Sequence, residues 1–181
     1  MIDIAFIAPG NAKKTYQVLS NKYSAIEPPT WALLLAESCR KKGFNPIIID
    51  CLAENLDDKT TIKRIVDFKP RVLCFVVYGQ NVNSGSTSMS GAVKLANFIK
   101  KSNIETPLCF VGSHIQALPK QTLVKEKNID FVILNEGVYS LTKLLALKNF
   151  SFKNLKKIPG LAIRKSSEIL FTQPGEIVPQ N

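Results

Sequence analysis

Apolar positions along this chain fall in short, closed runs that alternate with stretches of helical period. Residues 2–8 are almost continuously apolar and are closed by Pro9-Gly10, the pattern of a buried first strand. Further runs follow at residues 46–50, which end in Asp50, and at 71–78, 107–111 and 130–134. The third run, Val72-Leu73-Cys74-Phe75-Val76-Val77, is the most apolar, as a central strand covered on both faces requires. Between the runs lie helical patterns. Thr30 is placed to cap a helix over residues 31–42, and Gly43 suits its left-handed stop. Asp57 or Asp58 caps a second helix with an inner stripe of Ile62, Ile65, Val66 and Phe68, ended before Pro70. Met89, Ala92, Val93, Ala96 and Ile99 mark a third. Residues 118–126 make a short helix with Pro119 in its first turn, and Val138, Leu141, Leu144 and Leu145 stripe a last one.

Five strand-then-helix units predict an α/β fold: a flavodoxin-like (Rossmann-like) three-layer sandwich with a five-stranded parallel sheet. For five units the expected strand order is 2-1-3-4-5. The pattern changes after Lys148. Residues 161–164 and 168–171 read as a C-terminal β-hairpin turned by Lys165-Ser166-Ser167. Residues 173–181 contain Pro and Gly and read as a linker. The expected division is a binding domain over residues 1–148, a hairpin extension over 149–172 and a linker over 173–181.

Composition narrows the class. With 181 residues, 45% hydrophobic and 21% charged, the chain is neither disordered nor fibrous, and its length suits one domain. No apolar run approaches the ~20 residues of a membrane span. The first nine residues lack a basic leader and carry Asp3, so the expectation is a cytoplasmic protein with no membrane partner. The formal charge of +10 changes little. Only Arg40, Arg64, Arg71 and Arg164 are arginines, and the lysines fall in short groups such as Lys13-Lys14 and Lys100-Lys101. Several groups sit where helices end and complement the helix dipole, a pattern that disfavours a nucleic-acid partner. Cys39, Cys51, Cys74 and Cys109 show no Cys-x-x-Cys spacing and read as reduced structural thiols.

In an open parallel sheet, ligands bind at the carboxyl ends of the strands. Those ends here are small and polar: Pro9-Gly10-Asn11, Tyr78-Gly79-Gln80-Asn81 with Ser84 and Gly85 beyond, Gly112-Ser113-His114, and Asn135-Glu136-Gly137. Glycines there let a ligand approach the backbone, and helix amides can donate to it. Gly and Asn also make ordinary turns; four such loops on one edge make a ligand site the stronger reading. No Gly-x-Gly-x-x-Gly follows the first strand, and neither a Walker loop nor a Gly-x-Ser-x-Gly elbow occurs. His114 is the one histidine, and a lone histidine at a loop edge is more often a shape or hydrogen-bonding residue than a base. No catalytic residue is assigned, and no metal ligand.

The segments Gly112-Ser113-His114-Ile115-Gln116-Ala117-Leu118-Pro119 and Asn128-Ile129-Asp130-Phe131-Val132-Ile133-Leu134-Asn135-Glu136-Gly137 resemble the cobalamin-binding domain that precedes many radical S-adenosylmethionine enzymes. Glu27-Pro28-Pro29-Thr30-Trp31 and Ile158-Pro159-Gly160-Leu161-Ala162-Ile163-Arg164 are similar to two more of that family's segments, so the likeness runs over nearly the whole chain. The resemblance implies a site for cobalamin formed by Pro9, Gly10, Tyr78, Gly79, Gln80, Asn81, Ser84, Gly85, Gly112, Ser113, His114, Asn135, Glu136 and Gly137. The corrin ring would rest on the carboxyl edge, with its tail between the sheet and a helix. Two departures qualify the implication. The Asp-x-His-x-x-Gly signature of other cobalamin domains is absent, since its place reads Ile7-Ala8-Pro9-Gly10-Asn11; binding is therefore expected base-off, without an axial histidine. The Cys-x-x-x-Cys-x-x-Cys motif for a 4Fe-4S cluster is also absent. The cluster, S-adenosylmethionine, methyl-transfer chemistry and a small-molecule or peptide substrate would belong to a catalytic partner domain, in cis or in trans. The competing reading is a stand-alone flavodoxin-like enzyme or small-molecule-binding module, which would have to rely on Glu136 and His114.

Overall fold

The computed structural model describes residues 1–10, 28–78, 82–166 and 168–179, with only the backbone of 82–87. The elements alternate as β1 (Ile4–Ala8), α1 (Thr30–Lys41), β2 (Pro46–Asp50), α2 (Asp58–Phe68), β3 (Leu73–Val76), α3 (Val82–Lys101) and β4 (Leu108–Val111). Then come α4 (Ser113–Ala117), α5 (Pro119–Lys125), β5 (Phe131–Ile133), α6 (Val138–Leu145), α7 (Phe152–Leu155), β6 (Leu161–Lys165) and β7 (Glu168–Phe171).

The strands form one sheet in the order β2-β1-β3-β4-β5-β6-β7. The first five are parallel in the expected 2-1-3-4-5 order. The hairpin does more than follow the sandwich: β6 pairs antiparallel with β5, Val132 opposite Ala162, so the sheet has seven strands. Alternate strand residues feed two cores. Ile4, Phe6, Cys74 and Val111 face α1, α6 and α7. Ala5, Ile7, Phe75 and Phe110 face α2, α3, α4 and α5. Phe75 and Phe110 stack with ring centroids 4.7 Å apart under that second layer.

Local chemistry sets the helix ends. Asp57 caps α2, its carboxylate accepting from the Thr60 amide at 2.7 Å, and this bond holds the carboxyl below its usual pKa. Thr30 does not cap α1. It is the first helical residue, Pro29 precedes it, and its hydroxyl donates back to the Pro28 carbonyl. The stripe of α2 is also rotated from expectation. Thr61 and Ile65 are buried, whereas Val66 and Phe68 are 49% and 45% exposed. Thr61 tolerates burial because its hydroxyl donates to the Asp57 carbonyl and lies 3.7 Å from the Cys51 sulfur. Sequence also leaves out α4, a single turn between Gly112 and α5.

Two arginines staple the edge opposite the carboxyl rim. Arg71 pairs with Asp3 at 3.1 Å, donates to the Leu145 and Leu147 carbonyls at the end of α6, and lies over the Phe150 ring. Arg164, on β6, donates to the Leu123, Glu126 and Ile129 carbonyls where α5 ends. Each guanidinium satisfies carbonyls that a helix end leaves open and sets a cation at the negative end of the dipole.

All four cysteines are buried and unbridged. Burial pushes the Cys39 thiol up to about 11, and raises Cys51 and Cys74 as well. A thiol whose pKa is raised by folding contributes stability that is fully present below the unfolded value of 9.0. That contribution is lost as the pH rises toward about 11. The native protein should therefore react with a thiol reagent at pH 8 only at the rate of global opening, and all four thiols should react at once in denaturant. Fast native reaction of even one would contradict this burial. No helix among the described residues is long and apolar enough to cross a membrane.

Candidate functional site at the carboxyl rim

Parallel strands bring four loops to one edge, and helices leave from there with their amides facing it. At the centre, β3 and β4 are drawn together, the Val77 amide donating to the Val111 carbonyl at 2.7 Å. Gly112 follows at φ +154°, and a Cβ built on it would lie 2.2 Å from the Val77 carbonyl oxygen. Only glycine fits there. The chain then turns into α4, whose first side chain, Ser113, has a buried hydroxyl with no hydrogen-bond partner among the described residues. A stranded hydroxyl costs about 1–3 kcal/mol, and this one stands at the carboxyl edge of the sheet. His114 is half-buried in the same turn, its carbonyl accepting from the Leu118 amide.

Beside this centre stands Tyr78. Its ring stacks on Trp31 with centroids 4.5 Å apart, and its hydroxyl accepts from the Gln116 amide at 2.8 Å. Burial, with a smaller contribution from the Glu136 charge, pushes the phenol up to about 12. The hydroxyl therefore keeps its proton at neutral pH and can still donate. Trp31 and Tyr78 wall a cleft of about 150 Å³ that reaches Ala8, Pro9, Asp50 and Val76. Asp50 is tied down as an acceptor from the Leu52 and Ala53 amides. On the opposite face of the sheet, Gly10 lies against the Cys51 and Leu52 backbone and edges a broader cleft of about 870 Å³ between α2 and α3.

The fourth loop is organised differently. Asn135 accepts from the Gly137 amide at 3.0 Å, which sets the left-handed Gly137 at the start of α6. Its amide group donates to the Glu176 carbonyl, and the Glu136 carboxylate accepts from the Val178 amide. Asn135 and Glu136 thus face residues 173–178 as well as the rim.

Of the expected residues, Pro9, Gly10, Tyr78, Gly112, Ser113, His114, Asn135, Glu136 and Gly137 stand at the strand ends. Gly79, Gln80 and Asn81 lie outside the described residues; Ser84 and Gly85 fall on α3, where side chains are not described. Sequence reasoning missed Trp31 and Gln116 as rim residues. The signal for Trp31 was there: the sole tryptophan stands directly after Pro28-Pro29-Thr30, where a helix leaves the carboxyl edge. Among the described residues, no group of three or more His, Cys, Asp or Glu side chains is placed to hold a metal ion.

A doubly wound sheet with this order and a polar, glycine-cut carboxyl rim defines a flavodoxin-like ligand-binding domain. Residues 16–145 match the family model of the B12 binding domain, and the chain belongs to that family. It is 26% identical over 153 residues to the anaerobic magnesium-protoporphyrin IX monomethyl ester cyclase of Synechocystis sp., covering 83% of this chain and 29% of that protein. Two solved structures share the fold. The cobalamin-dependent S-adenosylmethionine radical enzyme OxsB, with aqua-cobalamin and S-adenosylmethionine bound, superimposes with a TM-score of 0.68 at 14% identity, covering 98% of this chain and 23% of its own. The radical S-adenosylmethionine methyltransferase TsrM of Kitasatospora setae, with tryptophan and an S-adenosylmethionine analogue bound, gives 0.70 at 15%, covering 96% and 30%. The chain therefore spans less than a third of each of these proteins.

Proposed function

We propose that this chain is the cobalamin-binding domain of a cobalamin-dependent radical S-adenosylmethionine enzyme, a methyltransferase by preference. The observation that carries the reading is the coincidence of the family match over residues 16–145 with a rim whose chemistry suits the cofactor. A corrin ring carries amide side chains around a flat apolar body. The rim offers a stranded Ser113 hydroxyl, a neutral Tyr78 phenol and an aromatic wall at Trp31. Gly112 keeps side-chain bulk away from the centre. The cleft beside Trp31 admits only part of so large a molecule, so most of the ring lies over the rim.

In this reading the chain binds and orients, and the cofactor, when bound, supplies cobalt-centred methyl-transfer chemistry. Ser113 and Tyr78 hold ring amides through their hydroxyls. The Gly137 amide is held by Asn135, so the backbone donors on this side would be the first amides of α6. His114 would shape the turn and is not assigned as a ligand to the metal. The 4Fe-4S cluster and S-adenosylmethionine belong to a catalytic domain in cis or in trans, with residues 173–181 leading toward it.

The test is co-elution of the purified chain with hydroxocobalamin on a sizing column, read by the visible spectrum. The expected result is stoichiometric retention at micromolar concentration; no retention refutes the reading. His114→Ala should leave the cobalt spectrum of the complex unchanged. A shifted spectrum in that variant would overturn the claim of a histidine-free lower face.

A further inference from the structure

Residues 173–178 cross the fourth rim loop in a seat built for them. The Gly160 amide donates to the Gln173 carbonyl at 2.7 Å, and the Asn135 amide group donates to the Glu176 carbonyl at 3.1 Å. Lys143, on α6, pairs with the Glu176 carboxylate at 2.6 Å, and the Val178 amide donates to Glu136 at 3.3 Å. Between these bonds two glycines face each other. A Cβ on Gly175 would lie 2.3 Å from the Asn135 amide nitrogen and 3.3 Å from the Gly160 Cα. Gly160 is at φ +78°, and a Cβ there would lie 2.7 Å from the Ser140 hydroxyl. Apolar burial does not hold this segment, for Ile177 is 71% exposed and Val178 39%. Polar contacts and the close approach at Gly175 do.

We propose that residues 173–178 are a strap latched on Asn135 and Glu136, and that the latch pre-orders the loop between β5 and α6 for the ligand at the rim. The second clause rests on the cobalamin reading. Asn135 links the two events physically. One end of its side chain holds the Glu176 carbonyl, and the other accepts from the Gly137 amide that opens α6. A loop already held in its bound shape does not lose conformational entropy again when ligand arrives. Glu136 sits at the same junction, with the strap on one side and its charge felt at Tyr78 on the other. The direction in which the chain leaves the fold is thereby fixed at the carboxyl rim.

Hydrogen exchange on the full chain tests the latch without cofactor. The wild type should show slowed exchange at the Val178 and Gly137 amides. Gly175→Ala pushes the Asn135 amide group out of its seat, so both amides should exchange at least about tenfold faster, the worth of one lost hydrogen bond. Unchanged exchange at either amide in that variant overturns the latch. Val178→Pro provides a second route, because it deletes the donor to Glu136 (while also fixing φ at 178) and leaves Asn135 untouched; Gly137 should again exchange faster, and an unaltered rate also counts against the proposal. Hydroxocobalamin titration of the same proteins tests the coupling. Both variants should bind several-fold more weakly than wild type, and equal or tighter binding refutes the coupling. Should the wild type itself fail to bind, the cobalamin reading falls, while the exchange result decides the latch independently.

Discussion

Gly112→Ala should lower the melting temperature by about 6–12 °C and abolish cobalamin retention in the fraction that stays folded. The added methyl must enter a space where the Val77 carbonyl oxygen is 2.2 Å away and the Val77 carbonyl carbon 2.5 Å away. Neither belongs to a flexible side chain. The strand end itself would have to move, and Val77 is bonded to Val111 on the neighbouring strand. A backbone clash of this kind, added to a φ of +154°, puts the change at the severe end for single substitutions, about 3 kcal/mol or more. For a domain of this size each kcal/mol moves the midpoint by roughly 2–4 °C. Ser113 comes next in the chain, so splaying β3 from β4 also misplaces its hydroxyl. Calorimetry and cofactor co-elution on one preparation check both parts. A variant with native melting temperature and full retention would show that the close approach is not needed.

Tyr78→Ala is the second large effect. Tyr78 joins three elements: it ends the apolar run of β3, stacks on Trp31 at the start of α1, and accepts from Gln116 on α4. Removing the ring leaves Trp31 without a partner and Gln116 without an acceptor, and opens a gap at the rim. The expected cost is about 3–5 kcal/mol in stability, as for other aromatic truncations, with loss of cofactor binding. Tyr78→Phe separates the two contributions. It keeps the stack, so it should cost only about 1 kcal/mol in stability while weakening cobalamin binding up to tenfold through the missing hydroxyl. Equal affinity for Tyr78→Phe and wild type would remove the phenol from the binding scheme.

The parts of this architecture written in side-chain patterning were legible from the sequence. The apolar runs give β1 to β5, and the Asp57, Gly43 and Pro119 signals mark helix ends because caps and breakers act within a few residues of themselves. The 2-1-3-4-5 order came from the rule for five alternating units and is the order found. What escaped reading depends on backbone groups or on packing at a distance. The hairpin is visible in the spacing of its two strands, but its attachment to β5 rests on main-chain pairing that any apolar strand can make. Val66 and Phe68 fit the helical period as well as Thr61 does. Thr61 can be the buried one because its hydroxyl is satisfied within its own helix turn and meets the Cys51 sulfur, which the helical period does not reveal. The strap is the extreme case. Apart from the Lys143–Glu176 pair, its own contributions are the Gln173 and Glu176 carbonyls and the Val178 amide, main-chain groups that no sequence pattern advertises.

At the rim the balance is similar. Four small, polar loops, after β1, β3, β4 and β5, point to the carboxyl edge. The roles of Trp31 and Gln116 needed coordinates, since they reach Tyr78 from elements 47 and 38 residues away along the chain. Asn135 and Glu136 are expected as ligand contacts from the sequence, and the structure shows them engaged by the chain's own later segment.

A corrinoid seated on this edge would lie beside the sole tryptophan. Trp31, 38% exposed against the cleft and stacked on Tyr78, is a built-in reporter. Titration with hydroxocobalamin should quench its fluorescence to a saturating limit at one equivalent, with a micromolar or tighter midpoint and no change when His114 is replaced by Ala. An unsaturable loss of signal, the same as that of free tryptophan titrated with the light-absorbing cofactor, would contradict the assignment.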